Sequence, residues 1–238
     1  MVAALRRVGD KRKIVLSPRN QERAKGLKSS YDCDIATDNQ SVVDQCSVLL
    51  LAVRPDHLEA LSAEITPTSE HLVISCVAGV SMERLQVLMP NITIVRTLPL
   101  ASAEIGEGVV PLFPENAIAQ ALLKPTGKLM VFESESDFEL AATAAVINGV
   151  VFGFMAELSE WFQGKGLAAE QAQSLVIHTL RGATGLSDYM TDQSLRDINT
   201  SIATPGTFTR KAQDLIISEK GFESWLKACE YIHCTLSE

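Results

Sequence analysis

From Val48 to Pro55 the chain reads Val48-Leu49-Leu50-Leu51-Ala52-Val53-Arg54-Pro55. Six consecutive apolar residues fill the length of a strand, and a proline then opens a helix-like segment. A sheet with one wet face alternates apolar and polar residues, so an unbroken run predicts a strand covered on both faces. Similar runs at 13–17, 72–78, 92–98, 109–113 and 128–132 continue the pattern. Between the early ones lie helix-like segments at 20–27, 55–63 and 81–89, each begun by a polar residue or a proline suited to a helix start. Alternating strands and helices predict an α/β fold built on a doubly wound parallel sheet.

After about residue 135 the pattern changes to helix length, with few turn signals before Gly164 and Gly166. Helices are expected at 137–162, 168–190, 205–218 and 221–235. Thr204-Pro205 suits the third entry, because proline at the first helical position loses no needed hydrogen bond. Residues 140–156 carry no charge, yet they fall short of a membrane span and include Asn148, Gly149 and Gly153. A helix apolar on nearly all sides must be buried all round. One subunit offers too few other helices to cover it, so a homodimer through the C-terminal helices is expected.

Of the 238 residues, 46% are hydrophobic and 21% charged, which excludes disorder and fibrous repeats. The net charge of −8 argues against a nucleic-acid or anionic-membrane partner. Arg6, Arg7, Lys11, Arg12 and Lys13 crowd together, but Asp10 breaks the run, and it reads as a solvated helix end. Five cysteines without a CxxC pair look like reduced intracellular thiols, and no apolar leader follows the first residues, so a cytoplasmic protein is expected. His57, His71, His178 and His233 are scattered without metal-ligand spacing, and no metal is expected.

Several segments, in order, are similar to the pyrroline-5-carboxylate reductase family. They are Ser17-Pro18-Arg19-Asn20, Thr37-Asp38-Asn39-Gln40, Leu51-Ala52-Val53-Arg54-Pro55 and Ser75-Cys76-Val77-Ala78-Gly79-Val80-Ser81. Val95-Arg96-Thr97-Leu98-Pro99 and Gly106-Glu107-Gly108 resemble the family's Arg-x-Met-Pro-Asn-Thr-Pro stretch and the glycines after it. Thr204-Pro205-Gly206-Thr207-Phe208-Thr209 resembles its Ser-Pro-Gly-Gly-Thr-Thr helix start, and Lys220-Gly221-Phe222 its closing turn.

The resemblance implies an NADP-binding Rossmann-type domain at 1–135, lacking its first strand, and an all-α dimerisation and substrate domain at 136–238. It implies a small-molecule substrate: reduction of a cyclic imine by NADPH, as in proline biosynthesis. A divergent member, non-catalytic or with a different substrate, acting as a dimeric binding or interaction protein is the alternative. Ser17 and Arg19, at the exit of the second strand, suit a 2′-phosphate better than a free 2′-hydroxyl; taken alone they read first as a turn and helix cap. By position the resemblance puts Asn39 near the adenosine and Ala52, Val53, Arg54 and Pro55 along the cofactor edge. Cys76, Ala78 and Gly79 fall near the nicotinamide. Strand end, small core residue and turn glycine are their plain alternatives. Thr209 is the implied catalytic contact to the substrate's ring nitrogen, or else helix surface. Asn148, Gly149, Gly206 and Thr207 are the implied substrate-side residues.

A fold of this type opens with a strand and a Gly-x-Gly-x-x-Gly turn that holds the pyrophosphate. Here the only Gly-x-Gly strings are Gly106-Glu107-Gly108, before a strand, and Gly164-Lys165-Gly166, between helices. Val2 to Gly9 reads as the back half of a helix ending at a glycine. The first strand and loop are expected to lie ahead of Met1, and weak or no NADPH binding by the 238-residue chain is expected with that. The family's Pro-Asn-Thr-Pro appears as Pro99-Leu100-Ala101-Ser102, and its Ser-Gly-Ser-Gly-Pro-Ala turn as Ala144-Ala145-Val146-Ile147-Asn148-Gly149. Both changes remove polar groups that would hold a carboxylate, which predicts weak anion binding there.

Overall fold

A computed structural model describes residues 1–237. The contacts divide it into two compact units: residues 1–145 with 233–237, and residues 146–232.

The first unit alternates strand and helix in the order α1 (Val2–Arg7), β1 (Val15–Leu16), α2 (Gln21–Tyr31), β2 (Asp34–Ile35), α3 (Asn39–Gln45) and β3 (Val48–Leu51). There follow α4 (Leu58–Glu64), β4 (Leu72–Ser75), α5 (Met82–Leu88), β5 (Thr93–Thr97), β6 (Val109–Phe113), α6 (Ala117–Leu123) and β7 (Lys128–Val131). Short polar side chains start several of these helices. The side chains of Asn20, Asp38, Ser81 and Asn116 each accept a backbone N–H in the first turn.

β1 and β2 form a parallel pair, and the remaining strands form one sheet in the order β3-β4-β5-β6-β7. The sheet is parallel-dominated, with one departure from the expected all-parallel sheet: β6 runs antiparallel to β5. The connection 98–108 between them contains a 3-10 turn, Ala101–Glu104, and no α-helix. A parallel return needs a crossover of about a dozen residues or more, usually helical. α6 supplies one between β6 and β7, which are parallel.

β4 shows why the apolar runs are continuous. Val73 packs into a core with Leu49, Leu51, Val77, Leu85 and Ile94, whereas Leu72 and Ile74 pack into a second core with Val95, Val110, Leu112 and Leu123. Alternate residues therefore bury on opposite faces, as a doubly wound sheet requires. The expectation of two covered faces fails for β3, where Leu49 and Leu51 are buried but Leu50 is 39% exposed. β3 is an edge strand of its sheet, so it has a neighbour on one side only.

The second unit is helical. It holds the later part of α7 (Glu135–Gly164), then α8 (Ala169–Tyr189), α9 (Leu195–Ile202), α10 (Phe208–Ser218) and most of α11 (Gly221–Ser237). Its small interior includes Ala172, Val176, Ile198 and Ala203, and Phe154 meets Trp225 edge to face with ring centres 6.1 Å apart. α10 starts three residues later than Pro205 suggested. Gly206 takes φ +87, outside helical geometry, and Thr207 becomes the cap, its hydroxyl accepting from Arg210 N at 3.2 Å. The uncharged segment 140–156 is helical but not buried all round within this chain: Leu140 is 54% and Phe152 60% exposed. α7 is the one helix among the described residues long and apolar enough to cross a membrane.

Candidate functional site

Ligands in open α/β sheets settle outside the carboxyl ends of the strands. β3 and β4 are parallel neighbours, and Cys76 N donates to Leu51 O at 2.8 Å. The segment 52–55 after β3 and the segment 76–79 after β4 therefore leave the sheet at the same end. Ala52, Arg54, Ala78 and Gly79 are exposed there, while Val53 and Cys76 are half-buried. Pro55 opens a 3-10 turn before α4. Gly79 has φ +66, where a side chain would be strained, and nothing lies within 4 Å of the position a Cβ would take. The exit is thus lined by small residues that let a flat ligand approach the backbone.

Burial pushes the Cys76 thiol up to about 12. It stays protonated at neutral pH, which removes it as a nucleophile and leaves it as an apolar wall.

At the exit of β1, the pocket is lined by Pro18, Arg19, Gln21, Thr37, Asp38, Asn39 and Glu64. Ser17 Oγ donates to Asn39 Oδ1 at 2.7 Å, Asn39 Nδ2 donates to Glu64 Oε2 at 2.5 Å, and Arg19 N donates to Ser17 Oγ at 3.3 Å. The backbone amide of Ser41 and the hydroxyls of Ser41 and Thr37 hold the Asp38 carboxyl below its ordinary range. Sequence reasoning named Ser17, Arg19 and Asn39 and missed Glu64. Glu64 ends α4 and falls in none of the quoted motifs, so no local signal marks it.

The pocket fits the ribose end of a dinucleotide: it has one guanidinium for a phosphate, hydroxyl and amide groups for hydrogen bonds, and a position at a strand exit. A Gly-x-Gly-x-x-Gly string does not occur in the chain, and the two Gly-x-Gly strings lead into β6 and join α7 to α8. Gly106 packs under Arg7, whose Nη2 donates to Pro125 O at 3.0 Å, so this glycine pair is structural.

The remaining candidates lie in the helical unit. Asn148 and Gly149 are interior to α7, which runs without a break through 144–149, so the backbone amides there are engaged in the helix. Gly206 makes the turn before α10. Thr207 Oγ1 donates to Thr204 O at 2.7 Å, and Thr209 is exposed in the first turn.

Comparison with known proteins covers both units. The family described as NADP oxidoreductase coenzyme F420-dependent matches residues 1–79. A pyrroline-5-carboxylate reductase of Synechocystis sp. is 28% identical over 221 residues, covering 89% of this chain and 81% of that protein. The solved 1-pyrroline-5-carboxylate reductase of Streptococcus pyogenes superposes with a TM-score of 0.85 at 20% identity, over 99% of this chain and 93% of that one. The Plasmodium falciparum pyrroline carboxylate reductase with NADP bound gives 0.79 at 20% identity, over 87% and 82%. Across both units, then, the chain is similar in sequence and in fold to pyrroline-5-carboxylate reductases.

Proposed function

We propose that the protein is an NADP-dependent reductase of a cyclic imine, with pyrroline-5-carboxylate as the first candidate substrate. The reading is carried by the pocket at the β1 exit, where Arg19 and Asn39 meet with Ser17 bonded to both, in a chain similar to pyrroline-5-carboxylate reductases. Arg19 would hold the 2′-phosphate, Asn39 would flank the adenosine, and residues 52–55 with Cys76, Ala78 and Gly79 would line the rest of the dinucleotide. When bound, the cofactor supplies a hydride. The substrate's ring nitrogen then needs a hydrogen-bond donor, for which the exposed hydroxyl of Thr209 is the candidate, with Asn148, Gly149, Gly206 and Thr207 on the substrate side.

Residues 1–135 form the cofactor-binding domain in this reading, and residues 136–238 the helical domain through which two chains pair. Cys33, Cys46, Cys76 and Cys229 are free thiols, in keeping with a reducing cytoplasm.

NADPH oxidation should be followed with pyrroline-5-carboxylate and with 1-pyrroline, its uncharged counterpart. Both should be reduced. Because α7 offers no free amide at 144–149, the carboxylate should raise kcat/KM by less than roughly tenfold, less than the loss of two charged hydrogen bonds would give. No oxidation with either imine would defeat the functional reading. A carboxylate advantage above a hundredfold would defeat the reading of 144–149 alone.

A further inference from the structure

We infer that Glu64 is a specificity-determining residue that lowers this protein's preference for a 2′-phosphorylated cofactor. The inference rests on the reading of the β1-exit pocket as the adenosine-ribose site. It begins from the polarity of a short hydrogen-bond relay. A carboxylate only accepts hydrogen bonds, so Glu64 Oε2 obliges Asn39 to turn its amide nitrogen toward it, at 2.5 Å. Asn39 Oδ1 then faces Ser17 and accepts its hydroxyl proton at 2.7 Å. Ser17 Oγ also accepts from Arg19 N. A hydroxyl has one proton to give, and here it is spent inside the protein.

The consequence for a ligand follows from donor counting. A 2′-phosphate accepts hydrogen bonds and wants donors around it, yet Ser17 offers it only lone pairs. A free 2′-hydroxyl is itself a donor, and acceptors satisfy it. Charge acts in the same sense. Arg19 is the one cation among the pocket's lining residues, opposed by the carboxylates of Asp38 and Glu64. Asp38 is committed to capping α3, where its carboxylate accepts from Ser41 N at 2.7 Å. Glu64 is exposed and carries no such duty, so its charge can be removed without disturbing a helix start.

The probes are 2′,5′-ADP and 5′-AMP, which differ by the 2′-phosphate alone and reach the ribose pocket without the nicotinamide half. Their dissociation constants are measured by NMR titration of the full chain, for wild type, Glu64→Gln and Arg19→Ala. Glutamine can donate as well as accept, which frees the relay to reverse. Glu64→Gln should tighten 2′,5′-ADP by roughly three- to tenfold, the size expected for one partly screened charge near a dianion. Binding of 5′-AMP should change by less than about twofold, which also reports an intact fold. If Glu64→Gln moves both ligands equally or neither, while Arg19→Ala still weakens 2′,5′-ADP selectively, the role of Glu64 is overturned and the pocket reading stands. If Arg19→Ala has no selective effect, or wild type binds neither probe, the pocket reading falls and takes Glu64 with it.

Discussion

Arg96 is the bulkiest of the fully buried side chains, 1% exposed, on a strand otherwise filled by Ile94, Val95 and Thr97. Its Nη1 donates to Glu135 and forms an ion pair with Glu139 Oε1 at 2.6 Å, and its guanidinium lies 4.7 Å from the centre of the Phe138 ring. Glu135 and Glu139 sit one turn apart on α7, where two like charges repel, and the shared cation offsets that. Glu135 also accepts from Met82 N at 2.6 Å, which ties the start of α5 to the same group. Among the described residues Arg96 Nε and Nη2 have no partner, so the cluster is already short of hydrogen bonds. Removing the cation would strand two carboxylates. Arg96→Met should cost about 3–5 kcal/mol in urea unfolding, and adding Glu135→Gln with Glu139→Gln should recover more than half of it. A loss under about 1 kcal/mol would mean the cluster is solvated. The sequence shows Arg96 as part of a motif, but nothing local reveals partners 39 residues away. Glu64 is illegible for the same reason, since its meaning depends on a residue 25 positions earlier.

Elements were legible where a pattern is long. α7 stands out from its uncharged run, and β3 to β7 from their apolar blocks. β2, α3, α6 and α9 were not expected: β2 is two residues, and the three helices are seven or eight. The start of α10 went astray because Gly206 overrides the proline before it. What the second unit's elements leave uncovered is large. Phe152 is 60%, Phe208 87%, Leu226 68% and Tyr231 70% exposed, more apolar surface than an isolated soluble chain normally shows. These faces should meet a second copy across an interface burying over about 2,000 Å². Light scattering should report a dimer at micromolar concentration in buffer without detergent. Phe152→Glu should shift it toward monomer. A wild-type monomer, or recovery only from detergent-extracted membranes, would contradict a homodimer.

At the scale of the whole molecule, the segments after β3 and β4 leave the sheet at one end, and the proposed cofactor edge is built on them. Alternation of strand and helix announced the doubly wound sheet. The reversal at β6 depended on the shortness of 98–108, a feature that apolar runs do not report. Ser17, Arg19 and Asn39 were named from motif order, and the fold brings Arg19 and Asn39 into one pocket with Ser17 hydrogen-bonded to both, whereas Glu64 joined them only in three dimensions. The central claim is that this scaffold delivers a hydride from NADPH to the carbon of a cyclic C=N bond. It is tested most directly by incubating the protein with pyrroline-5-carboxylate and NADPH deuterated at the transferable position, then analysing the product by mass spectrometry. The account predicts proline carrying one deuterium on the ring carbon that had been double-bonded to nitrogen. Deuterium retained entirely on the cofactor, with no labelled proline above the level in protein-free controls, would contradict it.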